Sequence, residues 1–219
     1  GSNNTFIGEQ AGFSNTSAFD NTFIGQDAGH QNTTGTDNVF IGVEAGYWNT
    51  ATDNVFIGTE AGEFNTTGSD NVFIGEEAGS SNVGGRSNVF VGEDAGFNNT
   101  EGDENTFVGR NAGRQNTTGR QNAFFGNEAG YDNTTGYWNT AIGDSAGTDN
   151  SIGIGNTFIG HAAGAATEYA SYNTFVGHNA GWDNNRTNSL TGEALHNTYI
   201  GAATGFTNRE GNYNVGLGA

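Results

Sequence analysis

The chain has 219 residues and a formal net charge of −18, from six basic and 24 acidic side chains. It contains 38 Gly and 32 Asn but no Lys, Met, Cys or Pro. This composition disfavours helices, excludes a disulfide scaffold or a cysteine-ligated metal, and makes nucleic acid a poor electrostatic partner.

The apolar content is aromatic rather than aliphatic, and it is spread along the chain. Sixteen Phe are too many for a simple disordered linker, and only three Leu are present. No segment approaches the ~20 apolar residues of a membrane helix, so we expect no membrane insertion by this segment. Gly1-Ser2 is expected to be a cloning scar, and the remainder a cut from a longer protein.

A repeat of 17 residues runs through the chain, with the consensus N-T-F-I-G-x-x-A-G-x-x-N-T-T-G-x-x. We number its positions 1 to 17 and call one position, taken over all repeats, a column. Gly holds columns 5 and 9, Ala holds column 8, and Phe holds column 3 almost throughout. The repeats start at Asn4, Asn21, Asn38, Asn54, Asn71, Asn88, Asn105, Asn122, Asn139, Asn156, Asn173, Asn197 and Asn214.

Each repeat predicts the same local elements in chain order. Asn-Thr-Phe-Ile is a four-residue β-strand, and the Gly after it supplies the positive φ of a sharp turn. Ala-Gly-x-x-Asn-Thr-Thr-Gly is predicted to form a second, more polar strand between glycine turns. One coil of a parallel β-solenoid fits this length, so the sequence predicts an all-β solenoid of about thirteen 17-residue coils.

In a stack of coils, each residue lies next to the equivalent residue of the neighbouring coil. We expect the Phe column inside, opposite the small Ala column, and the two Asn columns as hydrogen-bonded amide ladders. Alternation along the strand then turns the neighbouring aliphatic column outward as one apolar strip. Its first members are Ile7, Ile24, Ile41, Ile57, Ile74, Val91 and Val108.

One interval of 24 residues, from Asn173 to Asn197, interrupts the period. Because the repeat resumes after it, the excess at about 183–196 is predicted to loop out of one turn. The domain prediction is a single solenoid domain over 3–219 that carries this insertion.

Three segments carry the resemblance to known proteins: NTFIGEQAG (4–12), NTFIGQDAGHQNTTG (21–35) and NVFIGEEAG (71–79). They resemble the head repeats of trimeric autotransporter adhesins and the N-T-x-I-G-x-x-A-G repeats of phage tail-fibre and bacterial surface proteins. The resemblance implies a left-handed parallel β-roll, lateral assembly of three chains, and a role in attachment outside the cell. The autotransporter coil is shorter, so the turns must differ.

Acidic residues recur in two columns and suggest two alternatives. Stacked carboxylates form either a Ca²⁺ ladder or a solvated acidic surface whose Asp side chains bond turn amides. The absence of a D-x-D-x-D-G loop favours the second, so we predict no cofactor and keep calcium as the alternative. The acids are Glu44, Glu60, Glu77 and Asp94 in column 7, and Asp20, Asp37, Asp53 and Asp70 in column 17.

No catalytic or metal-binding motif departs from the repeat. His161 and His178 lie one period apart, but two ligands without a third make a poor metal site. No nucleophile motif or isolated pair of acids occurs, so the sequence predicts no enzyme.

Aromatic residues at turn positions are the candidate binding residues, for a sugar face or a protein partner. The alternative is that these rings shield strand ends and neighbouring coils. The candidates are Tyr47, Trp48, Tyr131, Tyr137, Trp138 and Trp182.

The sequence therefore favours a structural and adhesive rod segment of an extracellular surface fibre or virion tail fibre, assembled as a homotrimer and contacting a host glycan or protein. One alternative is a carbohydrate-binding module that uses the aromatic turns. Another is an ice-binding protein, although the adjacent Thr of N-T-T point to opposite faces and the column breaks at Val83, Glu168 and Arg209.

Overall fold

A computed structural model describes residues 1–184 and 194–218, which form two compact units, Gly1–Asn105 and Thr106–Ala219. The described residues contain three-residue β-strands joined by turns, and no helix. The first unit holds β1 (Thr5–Ile7), β2 (Thr22–Ile24), β3 (Val39–Ile41), β4 (Val55–Ile57), β5 (Val72–Ile74) and β6 (Val89–Val91). The second unit holds β7 (Thr106–Val108), β8 (Ala123–Phe125), β9 (Thr140–Ile142), β10 (Thr157–Ile159), β11 (Thr174–Val176), β12 (Thr198–Ile200) and β13 (Val215–Leu217).

Consecutive strands within each unit pair in parallel, and each residue pairs with its equivalent in the next repeat. Phe23 is opposite Phe40 in the first unit, and Phe158 is opposite Phe175 in the second. One strand per repeat makes each repeat one coil. The predicted all-β parallel solenoid of about thirteen 17-residue coils is therefore confirmed.

The predicted second strand of each coil is wrong. After the strand, the chain makes successive turns, as when Ala28 N–H donates to Gly25 O and Asn32 N–H donates to Gly29 O. Backbone groups in these turns still bond from coil to coil; Gly29 N–H, for example, donates to Ala45 O at 3.0 Å. The coils thus satisfy their backbone groups along the stack without strand geometry.

Left-handed backbone conformations explain why this half of the coil is not extended. Column 7 has φ near +55° whether it carries Glu60, Glu77 or Asn111, and column 17 has φ near +60° at Asp53 and Asp70. A β-strand cannot pass through such residues. Both acidic columns therefore mark the corners of the coil.

The glycine columns are fixed by close approach of neighbouring atoms as well as by φ. A Cβ on Gly25, which has φ +139°, would lie 2.2 Å from the carbonyl oxygen of Gly42 in the next coil. A Cβ on Gly29 in column 9 would lie 2.4 Å from the Phe23 ring. Column 5 thus lets successive coils approach, and column 9 makes room for the core ring.

The Phe column lies inside the coil, as predicted, and the Ala column is buried with it. From Phe23 to Phe107 every ring of this column is 0% exposed, and ring centroids in the first unit are 4.7–5.0 Å apart. Ala141 interrupts the stack in the second unit. Phe158 leans into the space that Ala141 leaves, since its ring also approaches Gly147 and makes a 26° angle with Phe175.

Both Asn columns form the predicted amide ladders. In column 1, the Asn88 backbone N–H and Nδ2 both donate to Asn71 Oδ1, at 3.0 and 3.2 Å, and Nδ2 also donates to Gly102 O at 2.8 Å. In column 12, Asn82 Nδ2 donates to Asn65 Oδ1 at 2.6 Å. These side chains are fully buried, so each amide fixes its coil against the previous one.

The repeat resumes in register after the long interval. Thr198 pairs with Thr174, and Asn197 N–H donates to Asn173 Oδ1 at 2.8 Å. The protruding loop itself was predicted for about 183–196. Of that segment, residues 185–193 lie outside the described residues.

We predict that Phe73→Ala lowers the free energy of unfolding by about 3–5 kcal/mol, because the ring is fully buried between Phe56 and Phe90. Phe13→Ala removes a ring that is 70% exposed and should cost under about 1 kcal/mol. Chemical denaturation of both variants measures the difference. Equal losses would show that column 3 is not the core.

Candidate functional site

The outer face of the strands is the first candidate surface. Ile74, Ile142 and Ile159 point away from the buried Phe and are 36, 40 and 37% exposed. The residue at the start of each strand, which is Thr, Val or Ala, lies on the same outer face. None of the thirteen strands contains a charged residue. The predicted outward aliphatic column is confirmed, and each unit presents an uncharged, mainly apolar strip.

The six aromatic candidates do not form one site. Tyr47, Tyr131 and Trp182 share column 10, whereas Trp138 belongs to column 17. Tyr47 and its neighbour Trp48 lie in the first unit, and the other four lie in the second. Tyr137 and Trp138 meet edge to face at 4.9 Å, as do Tyr47 and Trp48 at 5.2 Å.

Several of these rings are rungs of ladders whose other members were not predicted. Tyr47 stacks on His30, which stacks on Phe13. Trp182 stacks on Phe206 at 5.2 Å. A separate ladder in column 17 contains Tyr172, His196 and Tyr213, with centroids 5.0 Å apart. A ring inside such a stack has its faces covered by its neighbours, so it presents only its edge to a ligand.

A groove in the second unit is a concave, polar feature of the surface. Its larger part has a volume of about 570 Å³ and is lined by Asp132, Asp149 and Glu168. Thr134 and Ser151 lie between these acids, and the Thr134 hydroxyl donates to Ser151 O at 3.1 Å. Burial, then repulsion from Asp149 and Glu168, raises the pKa of Asp132.

The groove continues into a smaller cavity of about 280 Å³ that shares Asp149 and Ala166 with the larger part. Trp182 forms one wall of this cavity, and Ala165 and Ala166 line it. Columns 10 and 11 carry larger side chains in the other coils, so two successive Ala on one coil open the cavity. Acids and hydroxyls therefore line the larger part of the groove, an indole ring lines the smaller part, and Asp149 and Ala166 border both.

Reading the sequence along the chain misses this groove. Asp132 and Asp149 are one period apart in column 11, which carries no other acid in the repeats from Asn4 to Asn156. Glu168 replaces the usual Thr of column 13. Reading each column from coil to coil would have shown the three acids as neighbours. The expectation that no acids depart from the repeat is therefore wrong.

The acidic columns do not assemble a metal site. Among residues 1–184 and 194–218, no group of three or more His, Asp or Glu side chains is close enough to hold a metal ion. His161 and His178 stack at 5.1 Å, and His161 Nε2 lies 3.5 Å from Asp144 Oδ1. The Asp side chains instead contact hydroxyls, as Ser69 Oγ donates to Asp70 Oδ2 at 2.7 Å.

The N-T-T segments do not present free hydroxyls in a regular array. Thr50 Oγ1 donates to Thr66 O at 2.8 Å, and Thr117 Oγ1 donates to Thr134 O at 3.0 Å. These hydroxyls donate hydrogen bonds to the next coil, so this column gives no support to ice binding.

Glu63 in the first unit has a perturbed carboxyl. Burial, followed by repulsion from Glu60, Glu44 and Glu77, raises its pKa from 4.5 to about 7. The folded state therefore retains a proton that the unfolded state releases between pH 4.5 and about 7. This group lowers the stability of the fold as pH rises through that window.

We predict that Glu63→Gln reduces the loss of stability between pH 4.5 and pH 7, because the neutral amide removes the repulsion. Thermal unfolding measured across that range gives the slope. Glu76→Gln is the matched control, since it removes the same charge from an exposed position and should leave the slope unchanged. An unaltered slope in Glu63→Gln would contradict the proposed repulsion.

Two further observations bear on the identity of the chain. Among the described residues, no helix is long and apolar enough to cross a membrane. No family model, curated protein or solved structure matches the chain.

Proposed function

We propose that this chain is a structural and adhesive segment of an extracellular surface fibre or tail fibre, in which left-handed solenoids associate laterally in threes. The observation that carries this proposal is the uncharged strand face of each unit. The segment binds a partner and acts as a spacer in the fibre, and it does not catalyse a reaction. It needs no cofactor, and a glycan or protein on a host surface is its external partner.

The distribution of charge supports association through this face. The net charge of −18 lies outside the thirteen strands, because the strands carry none of it. Chains that meet through their strand faces therefore bury aliphatic side chains while the acidic corners remain in solvent. Ile200, at 44% exposure, and Ile142, at 40%, are among the side chains that such contact would cover.

The repetition of similar coils supports a role as a spacer in a fibre. Most described coils repeat the same buried amides and backbone bonds, so stability adds from one coil to the next. Such a stack lengthens by adding repeats, without any new kind of contact. The choice of three chains rests on the resemblance to trimeric adhesin heads.

Sedimentation equilibrium at moderate salt should give about three times the chain mass of 22.7 kDa. The double variant Ile142→Asp and Ile159→Asp places charges on the strand face of the second unit and should sediment as a monomer with unchanged circular dichroism. Thr34→Asp adds a charge at an exposed turn and is the control that should remain trimeric.

A wild-type chain that stays monomeric at micromolar concentration would contradict lateral association. Thermal hysteresis from such a monomer would assign the strand face to ice instead. In the second unit, Thr140, Thr157 and Thr174 repeat on that face in register.

A further inference from the structure

The groove in the second unit has a chemical character that the strand face lacks. Asp132, Asp149 and Glu168 line it with acceptor oxygens, and carboxylates donate no hydrogen bonds when ionised. A ligand that fits must therefore present donors. The three negative charges also disfavour an anionic ligand such as an acidic sugar.

The apolar wall of the groove further restricts the class of ligand that can bind. Trp182 stacks on Phe206 and lines the cavity beside Ala165 and Ala166. Ligand sites combine an aromatic or apolar surface with a few placed polar groups, and this groove has both. The hydrophobic face of a pyranose ring fits an indole, while its hydroxyls reach outward as donors.

The spacing fits a short oligosaccharide. Asp132, Asp149 and Trp182 belong to the coils that start at Asn122, Asn139 and Asn173. At about 4.8 Å per coil, Asp132 and Trp182 lie about 14 Å apart along the stack. That length accommodates two or three linked sugar rings.

We propose that this groove binds a cationic amino-sugar oligosaccharide, with ring faces against Trp182 and protonated amines against Asp132, Asp149 and Glu168. The amine supplies donors and offsets the mutual repulsion of the acids. It is also attracted to the face of an adjacent indole. This inference deepens the adhesive part of the proposed function by giving the glycan a chemical class.

Three tetramers with the same β-1,4 backbone test the assignment by calorimetry in mildly acidic buffer. They carry an amine, an acetamide or a hydroxyl at C2: the glucosamine tetramer, the N-acetylglucosamine tetramer and cellotetraose. The glucosamine tetramer should bind at least about tenfold more tightly than the other two, because only it carries the charge. Equal affinity for all three, or no binding of the glucosamine tetramer, would overturn the proposal.

Variants distinguish binding in the groove from nonspecific electrostatic binding to an acidic protein. Asp149→Asn and Trp182→Ala should each weaken binding of the glucosamine tetramer at least about tenfold. Asp132→Asn is a second acid variant for the case in which one of these fails to fold. Asp37→Asn changes the net charge equally at an exposed corner of the first unit and should leave binding unchanged. Equal weakening by Asp37→Asn would overturn the assignment.

A lysine tetrapeptide tests whether the groove accepts any polycation. Binding as tight as that of the glucosamine tetramer would show that the sugar ring contributes nothing and would overturn the proposal. Sedimentation of the same samples tests assembly into a trimer independently of sugar binding in the groove. Asp149→Asn should remain trimeric, and the double variant Ile142→Asp and Ile159→Asp should retain sugar binding. Failure of either hypothesis is then visible without the other.

Discussion

The buried asparagine amide is the interaction on which the rest of the structure depends. Asn156 in column 1 shows the pattern: its Oδ1 accepts from Asn173 of the next coil, and its Nδ2 donates to Asn139 Oδ1 of the previous coil and to Ala170 O of its own coil. A buried amide without partners would cost about 1–3 kcal/mol. Both the spacing and the phase of successive coils are therefore fixed, and every other column must stack in the same register.

Once register is fixed, each surface property is set by a column. The Phe column becomes the core of each unit, and the aliphatic column becomes a strip without charge. Like charges also become neighbours, and their repulsion adds to burial in raising the pKa of Glu63 to about 7. Because equivalent residues lie next to each other in the stack, a few substitutions are enough to form a local site. Two alanines at Ala165 and Ala166, with acids at Asp132 and Asp149, form a groove without changing the backbone.

The sequence predicts the features that depend on period and leaves out those that depend on backbone conformation. The 17-residue spacing of Phe23 and Phe40 was enough for the solenoid, the core and the amide ladders. The turns after each strand were missed because Glu rarely adopts positive φ, so Glu60 gave no sign of it. Aromatic residues such as Tyr47 and Trp182 were grouped by type, whereas the structure groups residues by column. For the same reason the acids of the groove were not seen as neighbours.

Exchange of the asparagine side-chain amide protons with deuterium, followed by NMR, tests the role of these amides most directly. If the ladders hold the coils in register, the Nδ2 protons of buried residues such as Asn71 and Asn88 should exchange at least about a hundredfold more slowly than those of the exposed Asn3. Exchange of the buried amides at the rate of Asn3 would contradict the account, because the coils would then be held together by the core rings and backbone alone.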